Sequence, residues 1–91
     1  MTNPNMSHTV DNEPETWVVV NYQGDRYPGI ITSNVTSGAV VTVMKRCKGG
    51  WYWPKPADEI EYANDEIVMR NLYPPEAVNK QGTFEFMYID I

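Results

Sequence analysis

Apolar and polar positions alternate with a period of two through most of this chain, the spacing of half-buried strands rather than of amphipathic helices. TWVVVNY, residues 16–22, is β-branched and aromatic and runs into the turn QGD. RYPGIITSNV, residues 26–35, resumes the extended pattern. Its Pro28 stands early, where a strand edge or bulge tolerates a missing donor. SNVTSG reads as the second turn, and GAVVTVMKRC as a third strand closed by a hinge at Gly49-Gly50. DEIEYANDEIVMRNLY, residues 58–73, predicts a fourth strand, a tight turn at Ala63-Asn64-Asp65, and a fifth strand. Helical spacing of Ile60, Ala63, Ile67 and Met69 offers a competing reading of that segment, and the strand reading is preferred.

Pro74-Pro75 ends the fifth strand, EAVNKQG predicts one short helical turn, and FEFMYIDI alternates well enough for a final strand or edge addition. Residues 1–15, MTNPNMSHTVDNEPE, show no apolar period and predict a disordered leader, leaving 16–91 as the folded domain with its C-terminal extension. The expected fold is all-β: a small antiparallel barrel of about five strands, with the short helical turn near the C-terminus.

Composition narrows the function classes. The chain has 91 residues, room for one domain and little space for both a deep catalytic cleft and a rigid scaffold around it. A formal charge of −5 argues against nucleic acid and favours basic partners. The basic-aromatic stretch Lys45, Arg46, Lys48 and Lys55 around Trp51 to Trp53 is too small to reverse that expectation. One cysteine, Cys47, excludes an internal disulfide and a multi-cysteine zinc site, and the one histidine, His8, lies in the leader. No run is apolar enough for a membrane helix. No phosphate loop, nucleophile elbow or convincing carboxylate pair is present, so no catalytic residue, metal or cofactor is expected. Asp58, Glu59, Glu61, Asp65 and Glu66 read as a solvated rim, from which one acid could face a cationic ligand.

The aromatics carry the remaining candidate chemistry. Alternation places Val18, Val20 and Tyr22 on one face and Trp17, Val19 and Asn21 on the other. With the first set inward, Tyr22 reaches the barrel mouth, and Tyr27 stands across the first turn within cross-strand reach. The turn bearing Trp51 and Trp53 could close over the same mouth. Rings converging near a carboxylate make a site for a desolvated or methylated cation, each ring contributing roughly 0.5–2 kcal/mol. The alternative is that these rings fill the core of a small barrel. Trp17 and Tyr62 are assigned to the core, Trp53 to a packed corner, and Trp51 to the pocket wall; for Tyr22 and Tyr27 both readings stay open.

VVVNYQGDRYPGIITSNV followed by GAVVTVMKR resembles the opening of a Tudor domain, one of the SH3-like barrels of the Royal superfamily. YPGII and WYWP also resemble the Pro-Trp-Pro turn of the PWWP domains. WYWPKPADEIEYANDEIVMRNLYPPEAVNKQGTF is similar to an uncharacterised Tudor-like module of animal proteins, and the likeness spans about residues 16 to 83. The resemblance implies an aromatic cage with Tyr22 and Tyr27 as walls, Trp51 and Trp53 completing it from their turn, and Met44 where a third-strand ring would stand. Asn64 is a loose match for the asparagine that orients ligands in methylarginine-binding members, with Asp65 beside it. It further implies a monomeric, non-enzymatic nuclear module that reads methylated lysine or arginine in basic segments such as histone tails. A cage-less scaffold domain of the same fold is the second expectation.

Overall fold

A computed structural model describes residues 12–91, which form two antiparallel sheets and a single 3₁₀ turn. The strands are β1 (Trp17–Tyr22), β2 (Asp25–Val35), β3 (Gly38–Val43), β4 (Lys45–Cys47), β5 (Gly50–Tyr52), β6 (Asp58–Ala63), β7 (Ile67–Arg70), β8 (Glu76–Ala77) and β9 (Thr83–Glu85). Five build the main sheet in the order β6-β3-β2-β1-β7, and four short ones build a second sheet in the order β4-β5-β9-β8. The all-β antiparallel expectation holds, and the strand reading of 58–70 prevails over the helical one.

The first hairpin follows from local chemistry. Tyr22 pairs with Asp25, leaving Gln23 and Gly24 as a two-residue loop in which both φ angles are positive, 53° and 89°. That is the turn whose twist matches a right-handed hairpin, and Gly24 takes its second position without steric cost.

The main sheet must curl. Its outer strands, β6 and β7, lie at opposite edges yet are joined only by the 3₁₀ turn Asn64–Glu66. A flat five-stranded sheet would separate its edges by roughly 19 Å, at about 4.8 Å per strand spacing. Four chain steps from Ala63 to Ile67 reach at most about 14 Å. The sheet therefore bends into a barrel-like shape, and the last gap is bridged by the turn rather than by a ladder. Curvature is helped by register shifts on β2 between Ile31 and Ser33 and on β1 between Val19 and Val20. The one helical turn thus sits between β6 and β7. EAVNKQG, expected to be helical, instead contributes β8 and the bend into β9, because Ala77 pairs with Phe84.

Inside the curl lies the core: Val18, Val20, Ile31, Ala39, Val41, Val43, Tyr62 and Ile67, with Tyr27 and Ile60 packed against it. Val18 and Val20 face inward as their alternation predicts. Val19, on the opposite face, is buried as well. Its strand neighbour on that face, Trp17, is covered by Trp53 at 5.7 Å and Phe86 at 5.8 Å between ring centroids. The single third strand expected over 38–47 divides at Met44, a fully buried corner whose N–H donates to the Pro28 carbonyl at 2.9 Å. The chain there leaves one sheet for the other.

The expected leader lies outside the described residues up to position 11, and from Asn12 onward the chain is part of the fold. Asn12 is 1% exposed; its amide donates to the Gly38 carbonyl at 2.9 Å and to Asn64 Oδ1 at 2.8 Å, and its oxygen accepts from Arg70 Nε at 3.2 Å. Glu15 and Thr16 then exchange backbone hydrogen bonds with Ile31. The fold reaches at least four residues beyond the expected boundary, because one polar side chain finds three partners in a place water does not reach.

Candidate functional site

Register determines which side chains share the concave face. Val20 pairs with Tyr27 and Tyr22 with Asp25, so Tyr22 and Tyr27 are diagonal neighbours on one face of the hairpin. Gly29 pairs with Val43, and Val43 with Asp58, which carries the same face across β3 to β6. Along β6 the period of two then presents Asp58, Ile60 and Tyr62 inward, while Glu59 and Glu61 are exposed on the other side. Glu59 accepts from the Thr42 hydroxyl there at 3.4 Å. Alternation thus selects one acid of the cluster, Asp58, and sends its neighbours to solvent.

These residues enclose a cavity of about 190 Å³ lined by Tyr22, Tyr27, Val43, Lys45, Asp58, Ile60 and Tyr62. Three tyrosines and two aliphatic side chains form the walls. Asp58 is the only carboxylate in the lining, and its Oδ2 lies 3.2 Å from Lys45 Nζ. Tyr62, 3% exposed, forms the inner wall. Burial, then the nearby Asp58 charge, pushes its hydroxyl up to about 12, so it stays protonated throughout the physiological range. Tyr22, 44% exposed, stands at the rim.

The predicted site residues divide. Tyr22 and Tyr27 line the cavity together. Trp51 does not; it lies behind Tyr27, edge-on at 6.4 Å and 77°, with the Arg46 guanidinium 4.3 Å from its ring centroid. The Arg46 guanidinium covers one face of its ring, and its edge-on contact packs against Tyr27 from behind. Trp53, assigned to a packed corner, stacks against Trp17 on the far side of β1 and takes no part in the cavity. Met44 is the buried corner between sheets. Asn64 spends its side-chain oxygen on Asn12 and Arg70, and Asp65 is exposed on the 3₁₀ turn, so neither reaches the cavity.

Tyr62 was expected in the core, and it is there, yet it also forms the third aromatic wall. Asp58 and Lys45 complete the lining. The signal for Tyr62 and Asp58 is present in DEIEY, whose alternation puts Asp58, Ile60 and Tyr62 together. Placing that face beside Tyr27 requires knowing that β6 pairs with β3. Close approach of those strands depends on Gly38, where a Cβ would stand 1.9 Å from the Tyr62 carbonyl oxygen. Among the described residues no group of three or more histidine, cysteine, aspartate or glutamate side chains could hold a metal ion.

Comparison with protein-family models, with curated proteins and with solved structures finds no significant match to this chain.

Proposed function

We propose that the domain is a non-enzymatic binding module whose tyrosine cavity takes the methylated ammonium or guanidinium group of a lysine or arginine in a basic protein segment, of the kind found in histone tails. The observation that carries this reading is the convergence of Tyr22, Tyr27 and Tyr62 with Asp58 around one cavity of about 190 Å³. Ring faces replace the hydration of a methylated cation, and a nearby carboxylate lowers the cost of bringing charge out of water. The net charge of −5 steers basic segments toward the surface. The resemblance of YQGDRYPGII to the Tudor opening agrees with Tyr22 and Tyr27 as walls, and a chromatin-bound ligand makes the nucleus the expected compartment.

The test is an NMR titration with a trimethyllysine peptide and its unmodified twin. Tyr22→Ala removes a rim wall at little cost to the core, and losing one ring of about 1 kcal/mol weakens methyl-peptide binding about fivefold. Equal affinity for the two peptides would eliminate the cage.

A second reading, a scaffold domain without a ligand cage, is favoured by one other feature. Tyr73 and Tyr88, 73% and 76% exposed, pack at a tilt of 59° with centroids 5.4 Å apart, beside a groove that Leu72, Phe86, Met87 and Ile89 also line. Exposed apolar surface of this kind marks contact sites between proteins. Loss of a protein partner on Tyr73→Ala and Tyr88→Ala, with Tyr22→Ala silent, would favour the scaffold.

A further inference from the structure

Resting on the reading of the tyrosine cavity as a cation site, we propose that Lys45 is its specificity determinant, selecting quaternary ammonium groups over ammonium groups that carry N–H donors. Asp58 is the only carboxylate in the lining, and Lys45 already occupies its Oδ2 at 3.2 Å. An ammonium with N–H bonds needs acceptors when it leaves water, and an unpaired donor there is costly. A quaternary ammonium has no donor to satisfy and is held by ring faces alone. With Asp58 Oδ2 engaged and its charge partly offset by Lys45, the cavity offers ring faces freely and only the other carboxylate oxygen to an N–H donor.

The position of Lys45 is built into the fold. It follows the buried corner Met44, whose N–H is held by the Pro28 carbonyl, and this fixes the start of β4 at the cavity mouth. Both partners of the ion pair keep solvent contact, with side-chain exposures of 49% and 29%. Such a pair contributes little to folding, so Lys45 can be replaced without loss of the domain.

The experiment is an NMR titration of the domain and of Lys45→Met and Lys45→Arg variants with tetramethylammonium and methylammonium chlorides at constant ionic strength. Wild type is expected to prefer tetramethylammonium. In Lys45→Met both ions gain from the lost repulsion, but methylammonium also gains Asp58 as an acceptor, and the preference should narrow about threefold, the scale of one exposed charge interaction. Lys45→Arg keeps the pair and should keep the wild-type ratio. A ratio unchanged in Lys45→Met, with wild type binding tetramethylammonium, overturns the role of Lys45 and leaves the cavity reading intact. If neither ion shifts the Tyr22, Tyr27 and Tyr62 resonances of the wild type, the cavity reading falls and takes this proposal with it.

Discussion

Asn12→Ala should destabilise the domain by about 3 kcal/mol, although the residue lies in a stretch with no hydrophobic pattern. The side chain makes two donated bonds, to the Gly38 carbonyl at 2.9 Å and Asn64 Oδ1 at 2.8 Å, and accepts one from the Arg70 guanidinium at 3.2 Å. Neutral bonds contribute about 1 kcal/mol each and a charge-assisted one about 1.5–3, giving roughly 4 before relaxation. Water entering the vacated space recovers part of that. Arg70 limits the recovery, since it keeps its bonds to the Ile67 carbonyl and Asn64 but loses its Asn12 acceptor in a half-buried place. Against a total stability of about 5–15 kcal/mol the loss is large. Urea unfolding is the assay: with a slope near 1 kcal/mol/M for a small domain, the midpoint should fall by about 2–3 M at unchanged slope. Asn12→Asp keeps an acceptor for Arg70 but sets its second carboxylate oxygen against the Gly38 carbonyl and Asn64 Oδ1, so it should lose at least as much as Asn12→Ala. A chain beginning at Thr16 should lose at least as much as Asn12→Ala. Were that shortened chain as stable as the full one, the polar clamp would be refuted and the original leader boundary restored.

Gly38→Ala should cost at least about 2 kcal/mol, since the new Cβ meets backbone that cannot rotate aside, 1.9 Å from the Tyr62 carbonyl oxygen. Thermal melts check it, and a melting temperature equal to wild type would contradict the close approach of β3 and β6. Stability should also fall in strong alkali. The Tyr62 hydroxyl is raised from 10 to about 12 in the fold, so its contribution is fully present below pH 10 and is lost as pH climbs toward 12. That loss is on the order of 2 kcal/mol, and Tyr62→Phe should remove it from the stability-versus-pH curve. A Tyr62→Phe curve parallel to wild type between pH 10 and 12 would show the hydroxyl to be unperturbed. Trp51→Phe should weaken methyl-peptide binding less than Tyr22→Ala does, because Trp51 acts only by bracing Tyr27; a larger loss in a titration would place it in contact with ligand.

Period-two alternation made the strands legible, because facing is a local property: consecutive side chains point to opposite sides whatever the strand pairs with. It gave β1, β2 and the inward set Val18, Val20 and Tyr22, and the Gln23-Gly24 turn brought Tyr27 near Tyr22 without any distant information. The third strand was harder, since nothing in GAVVTVMKRC marks Met44 as a corner; its burial depends on a hydrogen bond to Pro28, sixteen positions earlier. Trp51 reads as a pocket wall because it stands beside a turn in the sequence. The pairing of Trp51 with Arg46 and Phe84 instead put it in the second sheet.

The amino-acid sequence by itself determined that this protein is all-β, where its first turn falls, and which residues of each strand share a face. Only the tertiary structure decided which faces meet. Tyr62 and Asp58 join Tyr22 and Tyr27 because β6 pairs with β3 and the sheet curls. Asn12 belongs to the fold because its partners stand 26 and 52 positions away at Gly38 and Asn64, and 58 away at Arg70. Alternation carries no information on partners at that range. They are fixed by the free energy of the whole packed arrangement, in which one buried amide and one close glycine contact weigh as much as a run of apolar residues.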